Sequence, residues 1–153
     1  MAIIRYRDGA IPDPWVGRVR KVYDGDTLAI DGGAVLAVVR LWGIDAPEWG
    51  QTGAGAAWRK LRVMAGQGPV YVAPSGLDRF GRVVGACSTH EIGDFGLSLL
   101  KAGLVWWEFR FAPLEIQYRE AQAAARLEHV GLWLMKPYGW APWVWRRQRH
   151  GFR

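Results

Sequence analysis

At 153 residues, half of them hydrophobic and 22% charged, the chain suits one compact domain and excludes wholesale disorder. A formal charge of +6 invites polyanionic partners, but Arg146, Arg147, Arg149 and Arg153 carry four of those charges and leave the body at only +2. Cys87 is the single cysteine, which excludes an intramolecular disulfide, leaves stability to packing and suits a buried small hydrophobe.

The segment Met1 to Asp8 lacks the apolar run of a secretory signal. The aromatic stretch 129–145 is interrupted by Lys136, Pro137 and Pro142, so no membrane span is expected. The expectation is a soluble chain, cytoplasmic as it stands, with localisation left open because a longer precursor could be secreted. From Trp15 to Tyr23, Val16, Val19 and Val22 interleave with Arg18, Arg20 and Lys21 at strand-like spacing. Leu28 to Ile30 and Val35 to Leu41 predict two more strands around the turn Asp31-Gly32-Gly33, completing a β-meander. Gly43 to Thr52 reads as an irregular loop punctuated by Pro47 and Gly50.

Ala56, Ala57, Lys60, Leu61 and Met64 have helical spacing, and Gly66 and Gly68 stop that helix. Val70 to Ala73 and Arg82 to Cys87 predict a strand pair around a loop Pro74–Gly81. Asp94 can cap a short helix carrying Leu97, Leu99 and Leu100, closed by Gly103. Val105 to Phe109 is expected to be extended. Pro113 to Glu128 predicts the clearest helix, with Leu114, Tyr118, Ala121 and Ala125 on one face and Gly131 beyond its end. Six of the ten tryptophans lie beyond residue 100, which predicts an aromatic layer on the core. The pattern makes an OB-type barrel with packed helices the natural candidate. A division into an extension 1–14, a barrel domain 15–145 and a basic tail 146–153 is expected. That tail reads either as a solvated end or as a nucleic-acid arm.

Three short segments hold the polar residues suited to chemistry: Asp24-Gly25-Asp26-Thr27, Arg40 to Glu48, and Asp78-Arg79-Phe80-Gly81-Arg82. Each lies where a strand meets a turn. Phosphodiester hydrolysis needs a hard cation, cationic clamps and a group that positions or deprotonates water. Asp26 and Asp45 are hard oxygen donors suited to calcium or magnesium, Arg40 and Arg82 can fork onto phosphate, and Glu48 is a spare carboxylate for water. Plainer readings exist for each segment alone: Asp24-Gly25-Asp26 as a turn, Asp45 and Glu48 as a helix cap, Arg40 as a partner for a neighbouring acid. Trp42, Trp49, Trp106 and Trp107 can serve as core or as a platform for bases. His90, His129 and His150 lack metal-ligand spacing, which argues against zinc or histidine-based hydrolysis.

These three segments, together with Gly103-Leu104, Ala121-Ala125-Arg126 and Gly131-Leu132-Trp133, resemble the staphylococcal nuclease-like family over residues 16–145. The resemblance implies an α+β fold, a five-stranded OB-fold β-barrel with about three packed helices. It implies a calcium-dependent nuclease that hydrolyses DNA and RNA with low sequence specificity, breaks the P–O5′ bond and leaves 3′-phosphate ends. Carried over by position, Asp26, Asp45 and the main-chain carbonyl of Ala46 would bind Ca2+. Arg40 and Arg82 would hold phosphate and Glu48 would position or deprotonate water. Arg79, Phe80 and Phe109 would touch substrate, with Phe80 and Phe109 standing where the family has tyrosines, so stacking persists without the hydroxyl contacts. Single-stranded or locally melted DNA and RNA are the expected partners, and a monomer is the default. The alternative from another class is a non-catalytic OB-fold module that binds nucleic acid or protein.

Overall fold

A computed structural model describes residues 9–134 and 139–150. The N-terminal eight residues, the segment containing Lys136 and Pro137, and Arg153 of the basic tail lie outside the described residues. Among the described residues eight strands form in chain order: β1 (Trp15–Val22), β2 (Thr27–Asp31), β3 (Leu36–Leu41), β4 (Ile44–Asp45), β5 (Val70–Leu77), β6 (Val83–Thr89), β7 (Gly93–Asp94) and β8 (Trp106–Trp107). Four α-helices accompany them: α1 (Ala54–Ala65), α2 (Phe95–Lys101), α3 (Ile116–Leu127) and α4 (Pro142–Arg149).

The main sheet runs β3-β2-β1-β5-β6-β7, and an additional parallel pairing of β3 with β6 closes its first five strands into a barrel. This is the expected α+β, OB-type architecture. The central strand β2, between β1 and β3, buries Leu28, Ala29 and Ile30 in succession instead of alternating, the pattern of a strand buried on both faces. By contrast β6 keeps a strict period of two, with Val83, Gly85, Cys87 and Thr89 buried. Cys87 is fully buried, and burial pushes its thiol far up from the ordinary value, which leaves it a packing residue.

Two helices pack on the barrel, α1 beside β1 and α2 beside β6, and α3 packs on α2. On α1, Ala57, Leu61 and Met64 face the core, and Gly66 ends the helix. Asp94 caps α2 by accepting from the Leu97 amide at 2.6 Å. The same carboxylate accepts from the Tyr118 hydroxyl at 2.7 Å, tying α3 to the cap of α2.

Four expectations are corrected. The loop foreseen at Pro74–Gly81 is strand as far as Leu77. Proline lacks a ladder donor, and the chain accommodates it with a register shift between Pro74 and Gly76. The helix foreseen from Pro113 begins only at Ile116, and Leu114 is 87% exposed, off the buried face formed by Tyr118, Ala121 and Ala125. The irregular loop after Gly43 contains β4, which pairs with β8 as Ile44↔Trp107 and Asp45↔Trp106. A fourth helix, α4, forms where the basic tail was expected to begin, with Pro142 in its first turn.

Candidate active site

The β2/β3 ladder sets the first two side chains. Thr27 stands opposite Arg40 in the register, and the Leu41 amide donates to the Asp26 carbonyl at 2.8 Å. Asp26 and Arg40 therefore leave the barrel at one mouth. β4 folds back over that mouth, and the Ala46 amide donates to Asp26 Oδ2 at 2.7 Å. Gly25 makes this fold-back possible. A Cβ there would sit 2.8 Å from that of Ala46 and 2.5 Å from that of Ala57, so the turn, the fold-back and α1 can only meet over a glycine.

Arg40 is the central tie. Its Nη1 donates to the Leu41 carbonyl at 2.7 Å and the Ile44 carbonyl at 2.9 Å, and its Nη2 donates to Asp45 Oδ1 at 3.1 Å. Its Nε lies 3.3 Å from Asp26 Oδ1, which also accepts from the Thr27 hydroxyl at 2.9 Å. Asp26 and Asp45 are 6% and 1% exposed. Burial holds the Asp45 carboxyl above the ordinary carboxylate range, although the hydrogen bond from Arg146 and the charge of Arg40 act the other way.

Glu48 continues the same cluster. The Glu48 carbonyl accepts from the Gln51 amide at 2.7 Å and the Glu48 amide donates to Gln51 Oε1 at 3.1 Å, closing a turn that leaves the Glu48 side chain 41% exposed. Arg146 of α4 joins the two acids: Nη2 reaches Asp45 Oδ2 at 2.6 Å, and Nη1 reaches Asp45 Oδ1 at 3.1 Å and Glu48 Oε1 at 2.6 Å. Asp24 accepts from the Asp26 amide at 2.9 Å. Burial and the neighbouring charge of Asp26 push its carboxyl up to about 7.

Asp26, Arg40, Asp45, Glu48 and Arg146 thus form one chain of direct contacts. Arg82 does not join it. Its Nε is held by Asp78 Oδ2 at 2.5 Å, and its guanidinium lies over the Phe80 ring at 5.6 Å. The Arg79 guanidinium covers the same ring at 4.8 Å. The β3/β6 register sets Val83 opposite Val39 and Val84 opposite Arg40, so Arg82 enters the seam beside the strand that carries Arg40. Phe109 follows β8 on another side, half exposed, with its ring edge-on to Trp107 and Trp143.

Arg146 is the site residue that sequence reading missed. It was counted with the tail charges, whereas Pro142 followed by Trp143 and Trp145 was the available signal of a docked helix.

The donors suit a hard cation: carboxylate oxygens, with neither thiolate nor imidazole among the contacts described. Four carboxylates, Asp24, Asp26, Asp45 and Glu48, face two guanidiniums within the linked contacts, an excess of negative charge when all are ionised. The protein ligands are few. Among the described residues no group of three His, Cys, Asp or Glu side chains gathers around one point, so a cation here would draw on main-chain oxygen, water and substrate as well.

Comparison with known proteins supplies the remaining evidence. Residues 38–135 match the family described as "Staphylococcal nuclease homologue". The chain is 29% identical over 140 residues to a "Micrococcal nuclease" of Shigella flexneri, covering 86% of this chain and 80% of that protein. It is 34% identical over 133 residues to an "Uncharacterized endonuclease" of Haemophilus influenzae, covering 86% and 72% respectively. "Protein ParB" of Escherichia coli is 29% identical over 146 residues, covering 90% and 82%. The matched span carries Arg40, Asp45, Glu48 and Arg82, and starts within β3 and runs beyond α3, so the chain belongs to the staphylococcal nuclease homologues, a nuclease family.

Proposed function

We propose that this protein is a calcium-dependent nuclease that cleaves DNA and RNA with low sequence specificity and leaves 3′-phosphate ends. The observation that carries this reading is the single contact chain through Asp26, Arg40, Asp45 and Glu48 at one barrel mouth. Asp26 and Asp45, with the main-chain carbonyl of Ala46, would hold the cation. When bound, it would neutralise phosphate charge and polarise a phosphoryl oxygen.

The side chains then have separate tasks. Of the five N–H groups of Arg40, two go to carbonyls, one goes to Asp45 and the Nε–H faces Asp26, which leaves one Nη2 hydrogen for a phosphate oxygen from a guanidinium already fixed in place. Arg82, positioned through Nε by Asp78, offers its two Nη groups to the same phosphate. Glu48 is exposed enough to hold a water and accept its proton as the water attacks phosphorus. The P–O5′ bond breaks, O5′ takes a proton and departs, and the phosphate stays on the 3′ oxygen. The exposed rings of Phe80 and Phe109 suit stacking with unpaired bases, which favours single-stranded or locally melted substrates.

Cleavage of labelled single-stranded DNA and RNA, with calcium, magnesium or excess chelator, tests the reading, with Glu48→Ser as control. Calcium-dependent products bearing 3′-phosphate that vanish in the variant are expected. Folded protein that binds DNA without cutting it in any metal would overturn the proposal in favour of a binding module.

A further inference from the structure

We propose that α4 is an autoinhibitory latch, with Arg146 occupying the carboxylates that the cation and the attacking water require. The proposal rests on the metal-nuclease reading and concerns what must leave the site before it works. Arg146 forks onto both oxygens of Asp45 and also reaches Glu48, at 2.6, 3.1 and 2.6 Å. A divalent ion on Asp45 competes with that guanidinium: Oδ1 already accepts from both Arg40 and Arg146, Oδ2 accepts from Arg146, and the two cations repel one another on a single carboxylate. A proton-accepting Glu48 is likewise neutralised while it accepts from Arg146.

A second, independent set of contacts places the helix over the site. The Trp143 ring meets Trp106 edge-on at 5.7 Å, and Trp106 is the β8 residue paired with Asp45. Trp143 also stands edge-on to Phe109, a ring proposed to stack with bases, at 6.3 Å, and the Arg110 guanidinium lies over the Trp143 ring at 5.0 Å. One helix therefore contacts both the acids and one ring of the aromatic surface. Its charge contact can still be exchanged, since the Arg146 side chain is 40% exposed and can swing outward without leaving a core.

Apparent cation affinity is reduced by the fraction of time the latch is closed, so a latch closed nine-tenths of the time weakens binding about tenfold. Calorimetric titration of calcium into the full chain, without nucleic acid, reads this directly. Arg146→Gln removes the charge, and Trp143→Ala loosens the docking without touching the acids, which guards against either variant failing to fold. Calcium affinity about tenfold tighter in the folded variants is expected, with amide exchange across 142–149 accelerating when calcium is added to the unaltered protein. Equal or weaker affinity in the variants, or bound calcium with unchanged exchange in α4, overturns the latch and leaves the nuclease reading intact. No calcium binding by any form overturns both.

Discussion

Arg40 has most of its donors committed inside the protein, and its loss therefore has two consequences. Arg40→Gly removes a phosphate contact, and it also leaves the buried carboxylates of Asp26 and Asp45 facing each other without their shared counter-ion. A stability loss of about 3–5 kcal/mol is expected in urea denaturation, as for breaking a buried ion pair. Glu48 and Arg82 are more exposed and anchor no carbonyl of the barrel, so Glu48→Ser and Arg82→Gly are expected to keep the fold while activity falls about a hundredfold or more. Asp78 reports on the Arg82 loop through acid titration. Burial alone would raise its carboxyl, but the hydrogen bond from Arg82 and the amides of Arg82 and Phe80 hold it below the ordinary value. Its contribution is therefore complete above the unfolded carboxyl value of about 4 and is lost as pH falls through the lower folded value. Denaturation midpoints measured from neutral to acid pH should fall less steeply below about pH 4 in Asp78→Asn than in the unaltered protein.

At the scale of elements, the joint between α2 and α3 governs how the helices brace the barrel. Gly103 follows α2 and Gly131 follows α3, both with positive φ, and the Leu132 amide donates to the Gly103 carbonyl at 2.8 Å. A Cβ on Gly131 would lie 2.6 Å from the Ala102 carbonyl oxygen and would also collide with that of Gly103. Two of the sequence motifs, Gly103-Leu104 and Gly131-Leu132-Trp133, are thus the two sides of one backbone crossing. Gly131→Ala combines overpacking with a left-handed alanine and should cost at least about 2 kcal/mol by thermal or urea unfolding. Asp94→Ala acts on the neighbouring joint. It removes the α2 cap and the acceptor of the buried Tyr118 side chain's hydroxyl, for an expected loss of about 1–3 kcal/mol, while Tyr118→Phe should cost less.

For the whole molecule, charge is distributed unevenly. The chain is basic overall, yet the barrel mouth holds an excess of acids that Arg40 and Arg146 only partly balance. A cation that binds the folded state alone stabilises it by mass action. At a hundredfold excess over Kd the gain is about 2.7 kcal/mol, or roughly 5–10 °C in Tm for a chain of this size. Calcium should raise Tm by that order, chelator should reverse it, and the increment at a fixed calcium concentration should be larger in Arg146→Gln. No helix among the described residues is long and apolar enough to cross a membrane.

What the sequence by itself determined is the local chemistry. Period-two and helical spacing, the Asp94 cap, the Asp31-Gly32-Gly33 turn and the glycines that end α1 and α2 act over a few residues. Each can therefore be read from neighbours alone. Asp26, Arg40, Asp45, Glu48 and Arg82 were legible as candidates too, because each sits in or beside a strand-to-turn segment that local patterning marks, whereas Arg146 was not. Tertiary structure alone decided which of them meet. The parallel β3/β6 seam, the two-residue β4/β8 pairing and the arrival of Arg146 on Asp45, 101 positions distant, depend on closing loops between remote segments. No local propensity encodes that closure: it follows from burying the shared core, and it sets the start of β6 beside β3 while bringing α4 onto the acids.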